Sequence, residues 1–138
     1  VYGNAEVYGN AEVYGDAWVY GDAWVCGNAE VYGNAKVYRN AEVYGNAEVC
    51  GNAEVYGNAE VCGNAWVCES HHILTISSIG SRNGITTFFK TKKGISVKCG
   101  CFYGTLEEFK DKVEEVHKGT KHFKAYFKAI ELAQIQIN

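Results

Sequence analysis

A strict six-residue repeat occupies the first half of the chain. The unit Val1-Tyr2-Gly3-Asn4-Ala5-Glu6 recurs eleven times through Trp66. Val holds the first position and Ala the fifth in every copy, and the third position is Gly except at Arg39. A fixed internal period indicates a repeat architecture in which each unit buries its apolar side against its neighbours.

Each repeat predicts one short strand followed by a corner. Side chains alternate between the two faces of a strand, so Ala and Val of one unit point inward while Glu and Tyr point outward. Gly and Asn tolerate the left-handed backbone region that a corner requires. A helix is excluded because the apolar positions trace no helical stripe and each Gly would cost about 1 kcal/mol. The constant Val and Ala argue against disorder.

The Val-Tyr-Gly-Asn-Ala-Glu unit resembles the hexapeptide repeat of left-handed parallel β-helices. The resemblance implies three units per triangular coil of about 18 residues, and it implies a homo-oligomer, with a trimer favoured. Many such proteins are acyltransferases that use a His and coil-interrupting loops. Residues 1–68 contain no His, so they offer no such general base, and they predict a scaffold rather than a catalyst.

Folding the repeat onto 18-residue coils creates outward columns of identical side chains. One column stacks Tyr2, Tyr20, Tyr38 and Tyr56 about 4.8 Å apart. Such a ladder either binds sugars or bases by stacking or packs on itself without a ligand. Cys50 and Cys68 lie in adjacent coils within the range that permits a disulfide. We expect them to be thiols, because the cysteine pattern favours a reducing, cytoplasmic setting.

Charge divides the chain at about residue 68. Residues 1–68 contain two Lys or Arg and nine Asp or Glu, a net charge of −7, whereas residues 69–138 contain eleven and seven, a net charge of +4. We therefore expect two units, 1–68 and 69–138, with different roles. The acidic repeats make nucleic acid an unexpected partner. No apolar run reaches the roughly 18 residues of a membrane span, so no membrane association is expected.

The second unit predicts a small βββαα domain, which makes the whole chain mainly β. Strands are expected over 71–79, 85–90 and 95–102, joined by turns at 80–84 and 92–94. Thr105 and Glu108 form a capping box that begins a helix ending near Gly119. A second helix begins at Thr120 or Lys121. The apolar face of the first helix comprises Leu106, Phe109, Val113 and Val116.

The order of motifs along the chain resembles proteins of bacteriophages and prophages. The resemblance rests on the Tyr-Gly-Asn-Ala repeats followed by 70–72 (Ser-His-His), 79–83 (Ile-Gly-Ser-Arg-Asn), 99–102 (Cys-Gly-Cys-Phe) and 104–106 (Gly-Thr-Leu). It covers nearly the whole chain. It implies an architecture and brings no catalytic residues.

The hairpin of the second unit carries the candidate binding residues. Its Gly-rich turn offers backbone donors, a hydroxyl and a guanidinium, which suit phosphate, and neighbouring Lys and His add positive charge. The predicted site comprises His71, His72, Ser81, Arg82, Asn83, Lys90, Lys92 and Lys93. The alternative is a solvated hairpin with surface charges. Zinc at Cys99 and Cys101 is disfavoured because structural zinc prefers a longer Cys spacing. No metal or cofactor is expected.

These features favour a non-enzymatic binding protein of phage type. The β-helix would act as scaffold and oligomerisation element, and the second unit would capture a host partner or an anionic small molecule. Sequestration of a nucleotide signal as phage counter-defence is one form of this hypothesis. Two alternatives remain: an acyltransferase-like enzyme, and a structural spacer in a phage or surface assembly.

Overall fold

The computed structural model describes residues 1–80 and 84–137. Within those ranges it contains three parallel sheets, one antiparallel sheet and two α-helices. The parallel sheets form a β-solenoid, and the antiparallel sheet and helices form the second unit. The predicted parallel β-helix followed by a small α+β domain is therefore confirmed.

Strands β1 to β11 form the solenoid, and each spans two residues. They are Glu6–Val7, Glu12–Val13, Trp18–Val19, Trp24–Val25, Glu30–Val31, Lys36–Val37, Glu42–Val43, Glu48–Val49, Glu54–Val55, Glu60–Val61 and Trp66–Val67. Their sheets have the orders β1-β4-β7-β10, β2-β5-β8-β11 and β3-β6-β9. Val7 pairs with Val25 in parallel register, so one coil contains 18 residues, as the repeat predicts.

Val and Ala fill the interior of the solenoid, and Gly forms its corners. Every repeat Val from Val19 to Val67 is fully buried. Gly27 has φ +67°, and a Cβ there would lie 3.0 Å from the backbone N of Gly45 in the next coil. Arg39 occupies the same corner position with φ 59°. A residue with a side chain is destabilised by about 1–2 kcal/mol in this backbone region, so the backbone of Arg39 is strained.

Backbone N–H groups at the second, fourth and sixth repeat positions of each coil donate to carbonyls of the coil that follows. Tyr38 N donates to Val55 O at 3.0 Å, and Glu42 N donates to Ala59 O at 3.0 Å. The last coil therefore directs its N–H groups toward the second unit, which accepts some of them. Glu60 N donates to Thr87 Oγ1 at 3.3 Å.

The second unit begins with a four-stranded antiparallel meander and ends with two helices. Its strands are β12 (Ile73–Ile79), β13 (Gly84–Thr91), β14 (Gly94–Cys99) and β15 (Phe102–Thr105), and its helices are α1 (Leu106–His117) and α2 (Lys121–Gln136). The sheet order is β12-β13-β14-β15. Thr105 caps α1 in the predicted capping box, since Glu108 N donates to Thr105 Oγ1 at 3.1 Å and Thr105 N donates to Glu108 Oε1 at 2.8 Å.

Two details of the meander differ from the sequence prediction. The third predicted strand divides at Gly100, whose φ of 58° allows a tight turn, and β15 begins beyond it. Cys99 ends β14 and Cys101 lies exposed in the turn, so the two thiols do not share one strand, although the predicted strand 95–102 contains both. His71 and His72 belong to a short 3-10 helix, Ser70–His72, instead of the first strand.

Strand β13 joins the two units because its opposite faces contribute to different cores. Phe89 is fully buried in the Val and Ala core of the solenoid. The adjacent Phe88 faces the helices, with its ring centroid 5.9 Å from that of Phe109. Thr91 at the end of the strand forms an antiparallel bridge with Ala65. The second unit thus covers the C-terminal end of the solenoid core.

The helices bury most of the predicted apolar positions. Leu106, Phe109 and Val113 of α1 are buried, whereas Val116 is 55% exposed. Tyr126 and Ile130 of α2 pack in the same core. No helix among the described residues is long and apolar enough to span a membrane.

The outward columns follow the 18-residue period. Rings of the Tyr2, Tyr20, Tyr38 and Tyr56 column stack with centroids 4.9 to 5.3 Å apart, which confirms the predicted ladder. Cys50 and Cys68 form a disulfide with their Cα atoms 4.3 Å apart. The expectation of two thiols is therefore wrong for this structure, because successive coils bring equivalent side chains within bonding reach.

Candidate functional site

Four of the predicted binding residues gather around Trp66 in the last coil. Lys90 Nζ lies 5.7 Å from the centroid of the Trp66 ring, and the His72 ring stacks on the same indole at 5.8 Å. His71 packs against His72 at 4.5 Å. Lys92 Nζ lies 3.6 Å from Glu48 Oε2. These contacts give Lys92 a carboxylate partner and hold Lys90 and His72 on the solenoid.

His72 closes the end of the last coil. Its Nδ1 accepts hydrogen bonds from Cys68 N at 3.1 Å and Glu69 N at 3.2 Å. Both bonds require an unprotonated Nδ1. Burial lowers the pKa of His72, and the positive charges of Lys90 and His71 lower it further. His72 therefore serves as a neutral hydrogen-bond acceptor in the fold, a role that sequence reasoning missed.

The other four predicted residues are Lys93 and the three at positions 81–83. Lys93 is exposed in the β13–β14 turn, where its N–H donates to Thr91 Oγ1 at 3.2 Å. Ser81, Arg82 and Asn83 lie outside the described residues. Gly84, which follows them, is at the opposite end of β13 from Thr91, about 23 Å away for seven strand residues. Among the described residues, the predicted His and Lys side chains therefore lie toward the Thr91 end of β13, away from Gly84.

A cleft opens beside the Gly84 end of β13, between the solenoid and α1. We call it the junction cleft, and its volume is about 920 Å³. Motif residues that carry the phage resemblance surround it, since Ile79 and the 99–102 segment both line it. Most of its lining comes from β13, β14, β15 and α1 of the second unit. The solenoid contributes Asn40, Glu42, Asn58 and Glu60.

The wall contributed by the second unit is largely aromatic. Phe102 and Phe109 have ring centroids 5.3 Å apart, and Phe109 and Tyr126 are 5.5 Å apart. Thr86 Oγ1 donates to Cys99 Sγ at 3.1 Å, and that sulfur lies 3.8 Å from Tyr126 Oη. Burial raises the pKa of Tyr126 to about 12, with a further contribution from Cys99. The phenol is therefore neutral at physiological pH.

Carboxylates of the solenoid and basic groups of the second unit supply the charged part of the cleft. Burial raises the pKa of Glu42, and the adjacent Glu60 raises it further. Lys98 Nζ lies 3.9 Å from Glu60 Oε2 and donates to Gly100 O. Lys112 and His117 of α1 also line the cleft. The cleft thus offers an apolar aromatic wall, carboxylate acceptors and cationic donors, a combination typical of ligand pockets with few polar groups.

Gly80, which follows β12, packs against Tyr126, a residue that lines this cleft. Gly80 is buried with φ +83°, and a Cβ at this position would collide with the Tyr126 hydroxyl. Gly84, on the other side of the turn, lines the cleft itself. The described residues on the two sides of positions 81–83 thus lie against Tyr126 and in the cleft lining, respectively.

A second cleft of about 490 Å³ lies on another side of the solenoid, below β12. We call it the edge cleft, and it is lined by Tyr38, Arg39, Tyr56 and Asn58 of the solenoid and by Ser70 and Thr75. Of these residues, the sequence indicated only Tyr38 and Tyr56 as candidate ligand contacts, as members of the tyrosine column. Arg39 is the one exception to Gly at the third repeat position, and this exception is the sequence signal that could have pointed to the edge cleft.

No group of three or more His, Cys, Asp or Glu side chains suited to a metal ion occurs among residues 1–80 and 84–137. The Cys99 and Cys101 pair lies in the junction cleft without such a group. The arrangement there is accordingly one of stacking and hydrogen bonding.

Comparison with known proteins supports the solenoid. The chain is similar to the YdcK β-solenoid repeat over residues 5–21. No curated protein and no solved structure matches it. The match lies within the solenoid, so a β-solenoid repeat is the part of the architecture that both the comparison and the structure support.

Substitution of Gly80 tests the close approach to Tyr126. Gly80 and Gly119 have nearly equal φ values, +83° and +84°, but only Gly80 has an atom within 4 Å of an added Cβ. We expect Gly80→Ala to lower the free energy of unfolding well beyond Gly119→Ala, which measures backbone strain alone. Urea unfolding gives both values. Equal losses in the two variants would contradict the contact.

The acceptor role of His72 predicts a pH dependence. The folded-state pKa lies below the unfolded value of about 6.5, so the unfolded state binds more protons and acid destabilises the fold. The contribution is present above pH 6.5 and is lost as the pH falls through that value toward the folded-state pKa. We expect urea midpoints to fall less steeply with acidification in His72→Gln than in the unmodified protein. His122→Gln, a matched control, should keep the original slope, and a His72→Gln slope that also stays unchanged would refute this role.

Proposed function

We propose that the protein is a non-enzymatic binding protein in which the solenoid is a rigid scaffold and the second unit captures an anionic small molecule in the junction cleft. The observation that carries this proposal is the cleft itself. At about 920 Å³ it has the size of a small-molecule site and combines an aromatic wall with few polar groups.

The chemistry of the cleft favours a heteroaromatic ligand with an anionic group, such as a nucleotide. Phe102, which is half-buried and backed by the buried Phe109 and Tyr126, provides a ring against which a base packs. Glu42 and Glu60 accept hydrogen bonds from exocyclic amino groups. Lys112 and His117 supply positive charge in the lining, and Arg82, which precedes the lining residue Gly84 by two positions in the sequence, is a residue type suited to bidentate phosphate recognition. Binding at the Trp66 group of His71, His72, Lys90 and Lys92 is the less favoured location, because those side chains already have partners in the fold.

The finer features of the proposal rest on the phage resemblance. We place the protein in the cytoplasm of a bacterial host, where sequestration of a nucleotide signal would serve phage counter-defence. A host protein is the other expected occupant of the second unit. We expect the solenoid to mediate homo-oligomerisation, with a trimer favoured. Native mass spectrometry of protein purified from host cells would report both the oligomeric state and a co-purified ligand.

Calorimetric titration with a panel of linear and cyclic nucleotides tests the proposal. We expect at least one to bind, and we expect Arg82→Ala and Lys112→Ala each to weaken that binding about tenfold, since a charged hydrogen bond contributes about 1.4 kcal/mol or more. Lys124→Ala, an exposed lysine of α2 that does not line the cleft, should bind as the unmodified protein does.

Two results would overturn the proposal. One is the absence of heat with every nucleotide, and the other is equal affinity in the Arg82, Lys112 and Lys124 variants. Acetyl transfer from acetyl-coenzyme A that is lost in His71→Ala or His72→Ala would instead favour the acyltransferase-like alternative. Assembly into filaments without ligand binding would favour the structural spacer.

A further inference from the structure

The three sheets of the solenoid end differently at the second unit. Strands β10 and β11 lie against β13, through the Glu60–Thr87 hydrogen bond and the Ala65–Thr91 bridge. Strand β9 is the last of the third sheet and pairs only with β6 among the described strands. Its outer edge opens into the edge cleft.

Backbone donors at this edge have no acceptor among the described residues. One coil earlier, Lys36 N, Tyr38 N and Asn40 N donate to carbonyls of the next coil at 2.9 to 3.0 Å. The equivalent donors are the N–H groups of Glu54, Tyr56 and Asn58. No further coil follows above them in the described structure. Tyr56 and Asn58 line the edge cleft, so their free N–H groups are available to an acceptor that enters it.

The tyrosine ladder also ends in this cleft. Tyr38 and Tyr56 stack with centroids 5.3 Å apart and planes 11° from parallel. Tyr56 remains 51% exposed, and an aromatic ring placed in the cleft at the same spacing would continue the stack. Base-like rings gain about 1–3 kcal/mol from such contacts.

Arg39 supplies a cation beside this stack. It occupies a corner where every other repeat has Gly, and it adopts φ 59° despite its side chain. The corner above it is Gly57, where an added Cβ would meet no atom within 4 Å. This space leaves a path from Arg39 to the cleft, which both residues line. The nearby Glu54 carboxylate accepts a hydrogen bond from Tyr38 Oη at 2.8 Å.

We propose that the edge cleft is a second binding site, for a planar aromatic ring that bears a carboxylate or phosphate. The ring stacks on Tyr56 as the next rung of the ladder. The anionic group accepts hydrogen bonds from the Arg39 guanidinium and from the N–H groups at the edge of β9. Ser70, Thr75 and Ser77 provide further hydroxyls on the β12 side. The site adjoins the junction cleft at Asn58, which lines both clefts, but it does not depend on a ligand there.

Arg39→Gly is the decisive variant because it restores the residue of the other repeats. Loss of the strained φ should leave the urea midpoint unchanged or higher, so weaker binding could not be ascribed to unfolding. The probes are adenosine monophosphate and 4-hydroxyphenylacetate, which distinguish a nucleotide from an aromatic acid. Inorganic phosphate tests the anion without the ring. Binding is measured by calorimetry and by ligand-observed nuclear magnetic resonance.

We expect at least one ring-bearing probe to bind more tightly than phosphate and to lose at least about tenfold in affinity in Arg39→Gly. Tyr56→Phe should retain binding and Tyr56→Ala should lose it. Arg82→Ala, which tests the junction cleft, should leave this binding unchanged. The inference is overturned if neither ring-bearing probe binds, if Arg39→Gly binds equally well, or if Arg82→Ala abolishes the same binding event.

Discussion

An open coil end is the constraint on which the rest of this structure depends. A parallel solenoid satisfies its backbone by donating from each coil to the next, so its last coil has donors and a core column with nothing above them. Strand β13 and the adjoining residues provide both acceptors for some of these donors and a cover for the core column. Phe89 enters the Val and Ala core, Thr87 accepts from Glu60 N, and His72 accepts from the last two residues of the coil.

Both clefts arise because the antiparallel sheet of the second unit does not match the shape of the solenoid end that it covers. The solenoid has three sides, whereas the covering element is a single twisted sheet that can lie along only part of a triangular end. Where β13 departs from β10, the junction cleft opens between α1 and the Glu42 and Glu60 column. Where β12 passes above β9 without pairing, the edge cleft exposes the end of the tyrosine ladder. The candidate sites are therefore consequences of how the core is closed.

The sequence predicted the solenoid well because its information is local and repeated. The inward Val and Ala, the Gly corners and the Tyr column each follow from a period of six and a coil of 18 residues. The capping box of α1 was also predicted from the sequence, because Thr105 and Glu108 are only three positions apart. The division of the third strand at Gly100 was missed, since the apolar alternation on both sides of it concealed the turn.

The site was harder to predict because it depends on contacts between the two units. His71, His72, Lys90 and Lys92 looked like free basic residues, yet Trp66 and Glu48 of the solenoid engage them. No local pattern reveals that β13 runs from Gly84 to Thr91, with Gly84 at the junction cleft and Lys92 beside Glu48 at the other end of the strand. Lys112, His117 and Tyr126 reach the junction cleft only through the packing of helices on the sheet. Arg39 was visible as an exception to the repeat, but its role depends on the open edge above it.

The central claim is that the second unit covers the solenoid and the two unfold together. All three Trp residues lie in the solenoid, and among the described residues α-helix occurs only in the second unit. Tryptophan emission and helical circular dichroism therefore report the two units separately in one urea titration. The account predicts a single transition with the same midpoint and slope for both probes. Loss of the helical signal at lower urea, with tryptophan emission still native, would contradict it.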